Sequence, residues 1–152
     1  MQMPGFNRTV LDLAEALAAG RTSSRELVEA ALARVAAPDG EGARTFVAVY
    51  ADSAMTAADA QDRLRKAGYV ASPLAGLPVS VKDLFDVAGQ RTLAGSKALD
   101  DAPPAAHDAP TIARLRAAGA VLIGRTNMTE FAFSGVGINP PLRHTAIRMT
   151  AA

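Results

Sequence analysis

Residues 76–96, GLPVSVKDLFDVAGQRTLAGS, and residues 119–140, GAVLIGRTNMTEFAFSGVGINP, decide the fold of this 152-residue chain. In the first block, Leu77–Val81 is a short apolar run that reads as a buried strand, with Lys82 and Asp83 placed where that strand leaves the core. In the second block, Ala120–Gly124 reads as another buried strand, followed by Thr126 or Asn127 as the cap of a short helix. Between the blocks, Asp108 is placed to cap a helix that carries Pro110 in its first turn, buries Ile112 and Leu115, and ends at Gly119. The order strand, helix, strand implies parallel strands joined by a right-handed crossover, and therefore an α/β fold.

Outward from this centre the chain is helical on its N-terminal side. Thr9 and Asp12 form an acidic capping box, and Val10, Leu13, Ala14 and Leu17 recur at helical spacing until Gly20. Ser23 and Glu26 start a second helix, with Leu27, Val28, Ala31, Leu32 and Val35 on one face and Pro38 beyond its end. PDGEGAR is turn-rich and TFVAVY is a short β-prone run. Residues 52–67 read as a small-residue helix with Asp59/Arg63 and Asp62/Lys66 pairs at i,i+4, closed by Gly68. SPLAG is a loop.

The composition excludes several classes of function. With 49% hydrophobic residues the chain can bury the core of one compact unit, and it is too short for two comfortable domains. Sixteen Lys and Arg against 15 Asp and Glu give a net charge of +1, without a basic stripe or a run of like charge, which argues against nucleic acid as a direct partner. Cysteine is absent, so thiolate nucleophiles, disulfides and thiolate-bound zinc are excluded. His107 and His144 stand far apart, and neither takes a catalytic role. No apolar run approaches the roughly 18 residues of a membrane span, and the N-terminus has no basic segment followed by an apolar one, so a cytoplasmic protein without a membrane partner is expected.

Lys82 is the residue whose position most suggests chemistry, and three readings of it stay open on pattern alone. It can be a solvated strand end whose stem lies along the sheet. If buried, it would lose its proton more easily and serve as a general base, or as a Schiff-base nucleophile. Asp83, Asp86, Asp100, Asp101 and Asp108 sit mostly in turns and caps and make no metal site. Gly135 and Gly137 lack the third glycine of a phosphate loop and read as a turn. The pair Ser23-Ser24 belongs to a helix start, and Ser80, Ser96 and Ser134 do not stand out as nucleophiles.

The two quoted blocks, in this order and at this spacing, resemble the amidase signature family. The likeness extends over nearly the whole chain, including TSSRELVEAAL and TFVAVYADSAMTAADAQD. It implies the N-terminal part of that family's fold, a mixed sheet covered by helices and incomplete here. It also implies hydrolysis of a carboxylic amide to acid and ammonia through a serine acyl-enzyme, with no cofactor and no metal. Members use a Ser–cisSer–Lys triad, in which an unprotonated lysine activates a bridging serine that in turn activates the nucleophile. Lys82 matches the triad lysine. Thr126, Asn127, Glu130 and Ser134 match a segment that supports the active site, with Gly135 and Gly137 as a turn near the cleft. The implied partner is a small amide substrate, and a homo-oligomer is compatible with the pattern.

The family continues with a Gly-Gly-Ser-Ser-Ser-Gly-type segment that carries both serines and the oxyanion-hole amides, the last worth about 3–4 kcal/mol in a typical case. This sequence contains no such segment. The family pattern also breaks after Pro140. If Leu142–Ala146 are encoded CTA CGG CAC ACC GCC, the same bases read one position later give Tyr-Gly-Thr-Pro, the family's usual continuation. Residues 1–140 are accordingly read as amidase and residues 141–152 as a divergent tail, out of frame. The chain is expected to be inactive without the serines and marginally stable, since a fragment of a large sheet leaves edges uncovered. Two further functions stay open. One is the glutaminase-like component of a tRNA-dependent amidotransferase, and the other is a non-catalytic remnant or interaction module.

Overall fold

The computed structural model describes residues 8–135, 138–139 and 143–144. Along the chain run α1 (Val10–Ala18), α2 (Ser24–Val35), a single turn α3 (Gly42–Thr45), β1 (Phe46–Val49), α4 (Ala51–Lys66), β2 (Pro78–Lys82), α5 (Pro110–Ala117), β3 (Val121–Thr126), β4 (Ile138–Asn139) and β5 (Arg143–His144). Short 3-10 turns occupy Lys97–Leu99 and Glu130–Ala132.

The described residues divide into two compact units, those within 8–33, 50–79 and 114–123 against those within 34–49, 80–113 and 124–144. One unit was expected from length. Each unit is assembled from three separated stretches, so no linker in the sequence marks the division.

In the first unit, both anticipated capping boxes are present. Thr9 N donates to Asp12 Oδ2 at 2.7 Å, and Asp12 N donates back to Thr9 Oγ1 at 3.1 Å. Ser23 N donates to Glu26 Oε2 at 3.0 Å, and Glu26 N to Ser23 Oγ at 3.1 Å. These bonds to the charged form lower the carboxyl pKa of Asp12, through the Thr9 amide first, and of Glu26, through the Ser23 amide first. Helix α4 differs from the expectation that its charges pair along its own surface. Asp62 instead accepts from Ser24 N at 2.8 Å and Arg25 N at 3.0 Å, and Asp59 pairs with Arg25 Nη1 at 2.8 Å. The orphan amides at the start of α2 attract a carboxylate more strongly than a solvated neighbour one turn along α4 does. Ala54 and Ala58 are buried on α4, where a small side chain lets backbones approach, together with Leu17 and Val28.

The sheet has the order β1-β3-β2, with β1 antiparallel to β3 (Val49 opposite Gly124, Phe46 opposite Thr126). Leu77 O accepts from Val121 N at 2.9 Å, and Asp83 N donates to Thr126 O at 3.0 Å, so β2 and β3 advance in the same direction, as expected. Central β3 is buried from Val121 to Arg125, the pattern of a strand covered on both faces. Gly124 is required there, because a Cβ would lie 2.5 Å from Ala48 O on β1. In the second unit β4 and β5 pair antiparallel, Asn139 with Arg143 and Ile138 with His144. Residues 143–144, expected to lack pattern, therefore form a short strand, and residues 141–142 and 145–152 of the expected tail lie outside the described residues.

Candidate active site

The end of β2 sets the site's geometry. Val81 is buried, Lys82 is exposed and Asp83 is buried, the alternation of a strand that ends at the edge of a core. The burial that the general-base and Schiff-base readings of Lys82 require is not supplied by the described residues. Its neighbour carries the buried charge instead.

The Asp83 side chain, 1% exposed, faces Arg125 on β3, 4% exposed, with Oδ1 and Nη1 at 3.0 Å. The same Nη1 donates to Phe85 O at 3.0 Å, and Gly95 N donates to Asp83 Oδ2 at 3.2 Å. A pair this deep gains little over an apolar pair when intact, yet removal of one partner costs about 3–5 kcal/mol because the other charge is left unmatched in the interior.

Gly95 is the centre of the surrounding loops. Its amide holds Asp83, and its carbonyl accepts from Asn139 Nδ2 at 2.6 Å, while the same Nδ2 donates to Met128 O at 2.8 Å. Gly95 has φ +67°, and a Cβ there would stand 2.8 Å from both Asn139 Nδ2 and Met128 O. Ala94 (φ 49°), Phe131 (φ 50°) and Ala132 (φ 58°) are non-glycine residues in the left-handed region, and Phe131 N donates to Ala94 O at 2.8 Å. Such backbone costs on the order of 1–3 kcal/mol per residue and concentrates at functional sites.

The anticipated supporting residues fall around this network unequally. Thr126 is the last residue of β3, receives the Asp83 amide on its carbonyl, and places Oγ1 3.4 Å from Val81 O. Asn127 does not open a helix: its amide donates to Thr45 O at 2.7 Å, and its Oδ1 accepts from Met128 N at 2.8 Å. The helical turn begins only at Glu130, whose Oε1 accepts from Ser96 Oγ at 2.5 Å. Ser134 lies beyond that turn and is exposed. Thus the ends of β2 and β3 bring Lys82, Thr126 and Asn127 onto adjoining segments, with Glu130 tied in through buried Ser96.

Arg125, Gly95 and Asn139 were not singled out by sequence reasoning, and Ser96 was weighed only as a nucleophile. Each lies within the two quoted blocks, and an Arg in an otherwise apolar strand was the available signal. Asp108, expected as a helix cap, accepts from Ala88 N at 2.8 Å. In the first unit a cleft of about 660 Å³ is lined by Arg21, Arg25, Asp59, Asp62, Arg63 and Lys66 among others. Asp62 already occupies the helix amides there. No group of three or more metal-binding side chains exists among the described residues, and no described helix is long and apolar enough to cross a membrane.

The family described as Amidase matches residues 26–147. The chain belongs to the amidase family. It is 49% identical over 123 residues to AtzE of Pseudomonas sp. (strain ADP), a 1-carboxybiuret hydrolase subunit, covering 81% of this chain and 27% of that protein. It is 44% identical over 133 residues to the A-type chain of the glutamyl-tRNA(Gln) amidotransferase of Chromohalobacter salexigens, covering 88% of this chain and 27% of that one. Among solved structures, the peptide amidase of Stenotrophomonas maltophilia superposes with a TM-score of 0.80 at 35% identity, over 95% of this chain and 30% of the amidase. A structure described as a vestigial protein complex that reveals the origins of an s-triazine catabolic enzyme gives a TM-score of 0.83 at 45% identity, over 91% and 30%. The α/β fold expected from the two blocks is therefore that of amidases, and this chain spans a little over a quarter of the curated relatives it matches.

Proposed function

We propose that this chain is the lysine-bearing N-terminal portion of an enzyme that hydrolyses a carboxylic amide to acid and ammonia, with Lys82 as the base of a Ser–cisSer–Lys triad. The observation that carries the reading is the parallel pairing of β2 and β3. It sets the lysine block beside the Thr126–Glu130 block and fixes them with Asp83 and Arg125. In this reading Lys82 accepts the proton of a bridging serine, which accepts that of the attacking serine; the proton on the lysine then passes to the departing nitrogen to give ammonia, and water cleaves the acyl-enzyme by giving its hydroxyl to the acyl carbon and its proton, through the same relay, back to the attacking serine. The serines and the oxyanion amides come from sequence outside these 152 residues. Those added segments also bury Lys82, which the present residues leave exposed. By itself the chain is inactive, and Thr126, Asn127, Glu130 and Ser134 shape the cleft floor. No cofactor enters the mechanism.

A second reading makes the complete protein the glutaminase-like component of an amidotransferase, releasing ammonia from glutamine. Its support is that seven of the relatives are the A-type chains of glutamyl-tRNA(Gln) amidotransferases. Preference for glutamine over simple amides, together with a stable partner protein, separates it from the first.

We further propose that residues 141–152 are read out of frame and that the amidase portion is residues 1–140. Sequencing the source DNA from the Gly135 codon onward, with translation in all three forward frames, tests both proposals. A Gly-Gly-Ser-Ser-Ser-Gly-type segment in a neighbouring frame is the expected result. Its absence from every frame over several hundred bases makes the chain a non-catalytic relative.

A further inference from the structure

Lys82 is followed within three residues by an unusual concentration of fixed points. Asp83 N is bound to Thr126 O, the Asp83 carboxylate is held by Arg125 Nη1 and Gly95 N, Phe85 O is held by the same Arg125 nitrogen, and Phe85 N returns to Lys82 O at 3.2 Å. A lysine at a strand end ordinarily shares the motion of the loop that follows it. Here the loop is tied to central β3 at the first residue.

The charges are arranged as deliberately as the backbone. Strand alternation sends the Asp83 carboxylate into the core and Lys82 to the exposed side, yet a carboxylate one residue away still acts on the ammonium through its field and favours the charged form unless another charge matches it. Arg125 Nη1 matches that carboxylate at 3.0 Å. The other charged groups on the segments that meet at this point are Asp86 after β2, Arg91 in the following loop, Lys97, and Glu130, whose carboxylate is taken by Ser96.

We propose that Asp83 and Arg125 are a positioning pair for Lys82: Arg125 locks the chain immediately after the lysine and matches the Asp83 charge, so that the lysine amine is presented in fixed place without a competing carboxylate. The proposal rests on the reading of Lys82 as the base and names the residues that prepare it.

The chain contains three lysines, Lys66, Lys82 and Lys97, all exposed, so two serve as internal references. Trace acetylation with acetic anhydride at one mildly alkaline pH, read by mass spectrometry, gives the reactivity of Lys82 relative to the other two. Arg125→Met strips the match from Asp83 and lowers that ratio by about threefold or more. Asp83→Asn moves it in the opposite direction, and Arg125→Lys returns it to the wild-type value. Unchanged ratios in Arg125→Met and Asp83→Asn with native circular dichroism, or ratios that move the same way in both, overturn the proposal. Where a single variant loses native dichroism, the double variant Asp83→Asn/Arg125→Met leaves no unmatched buried charge and decides the matter. Exchange of the Asp83 and Phe85 amides then accelerates by about tenfold or more relative to the amides of α4, and unchanged exchange overturns the pair's positioning role. Neither readout uses an amide substrate or a serine. Failure of the pair is therefore distinct from failure of Lys82 as base, which shows only in hydrolysis.

Discussion

The two units differ in how deep their ion pairs reach. In the first, carboxylates and guanidinium groups lie at the surface: the Arg25–Asp59 pair has side chains 48% and 37% exposed, and the caps at Asp12 and Glu26 face solvent. In the second, the Arg44–Glu41 pair is likewise exposed, but Asp83 and Arg125 are sealed inside. Surface pairs give up little when broken, because water replaces the partner, whereas a sealed charge has no replacement. The first arrangement tunes helix ends, and the buried pair ties the end of β2 to β3.

The sharpest way to break this contrast is Arg125→Met. It is expected to destabilise the chain by about 3–5 kcal/mol in urea unfolding, since Asp83 is left unmatched. A loss no larger than that of a surface variant would remove the distinction between the units. Next in size is Gly95→Ala, where a Cβ meets Asn139 Nδ2 and Met128 O at 2.8 Å in a left-handed backbone. A cost of about 1–3 kcal/mol is expected in the same assay, and a neutral result would show that the loops around Gly95 are free to shift. Asp59→Asn, which removes the Arg25 contact, should cost less than either of these variants, and the difference from wild type should vanish in high salt. Persistence of the difference at high salt would place the pair with the buried ones.

The smallest effect is in acid. Asp12 and Glu26 have folded-state pKa values below their unfolded ones, so the caps contribute stability above the unfolded values. That contribution is lost as the pH falls through the folded values. Amide shifts of Thr9 and Ser23 followed in a pH titration should therefore move with midpoints below those of a denatured reference, and coincident midpoints would contradict the capping assignment.

How much of this was legible in the sequence depends on the range of the interaction. The capping boxes were readable because both partners lie within three residues of each other, and the parallel strands because apolar runs of strand length flank a helical period. The partners of Asp59 and Asp62 were not, since Arg25 and Ser24 lie more than thirty positions away and a local i,i+4 rule offered nearer candidates. The late start of the helical turn at Glu130 has a similar cause. Asn127 spends its amide on Thr45 and its side-chain oxygen on Met128, a tertiary arrangement that outranks its capping preference. The site was legible only in outline. The lysine block and the Thr126–Glu130 block were visible as motifs, while Arg125, Gly95, Ser96 and Asn139 acquire meaning only when strands distant in sequence lie side by side.

The central claim, that Lys82 is the base of an amidase, is tested most directly in a chimera. In it, residues 1–140 replace the corresponding portion of AtzE, the 1-carboxybiuret hydrolase component with which this chain shares 49% identity, so that the serine segment is supplied in frame. Ammonia release by this chimera compared with its Lys82→Met form is the measurement. A loss of about a hundredfold or more is expected when the lysine is removed, and a Lys82→Met chimera as active as its parent would contradict the account.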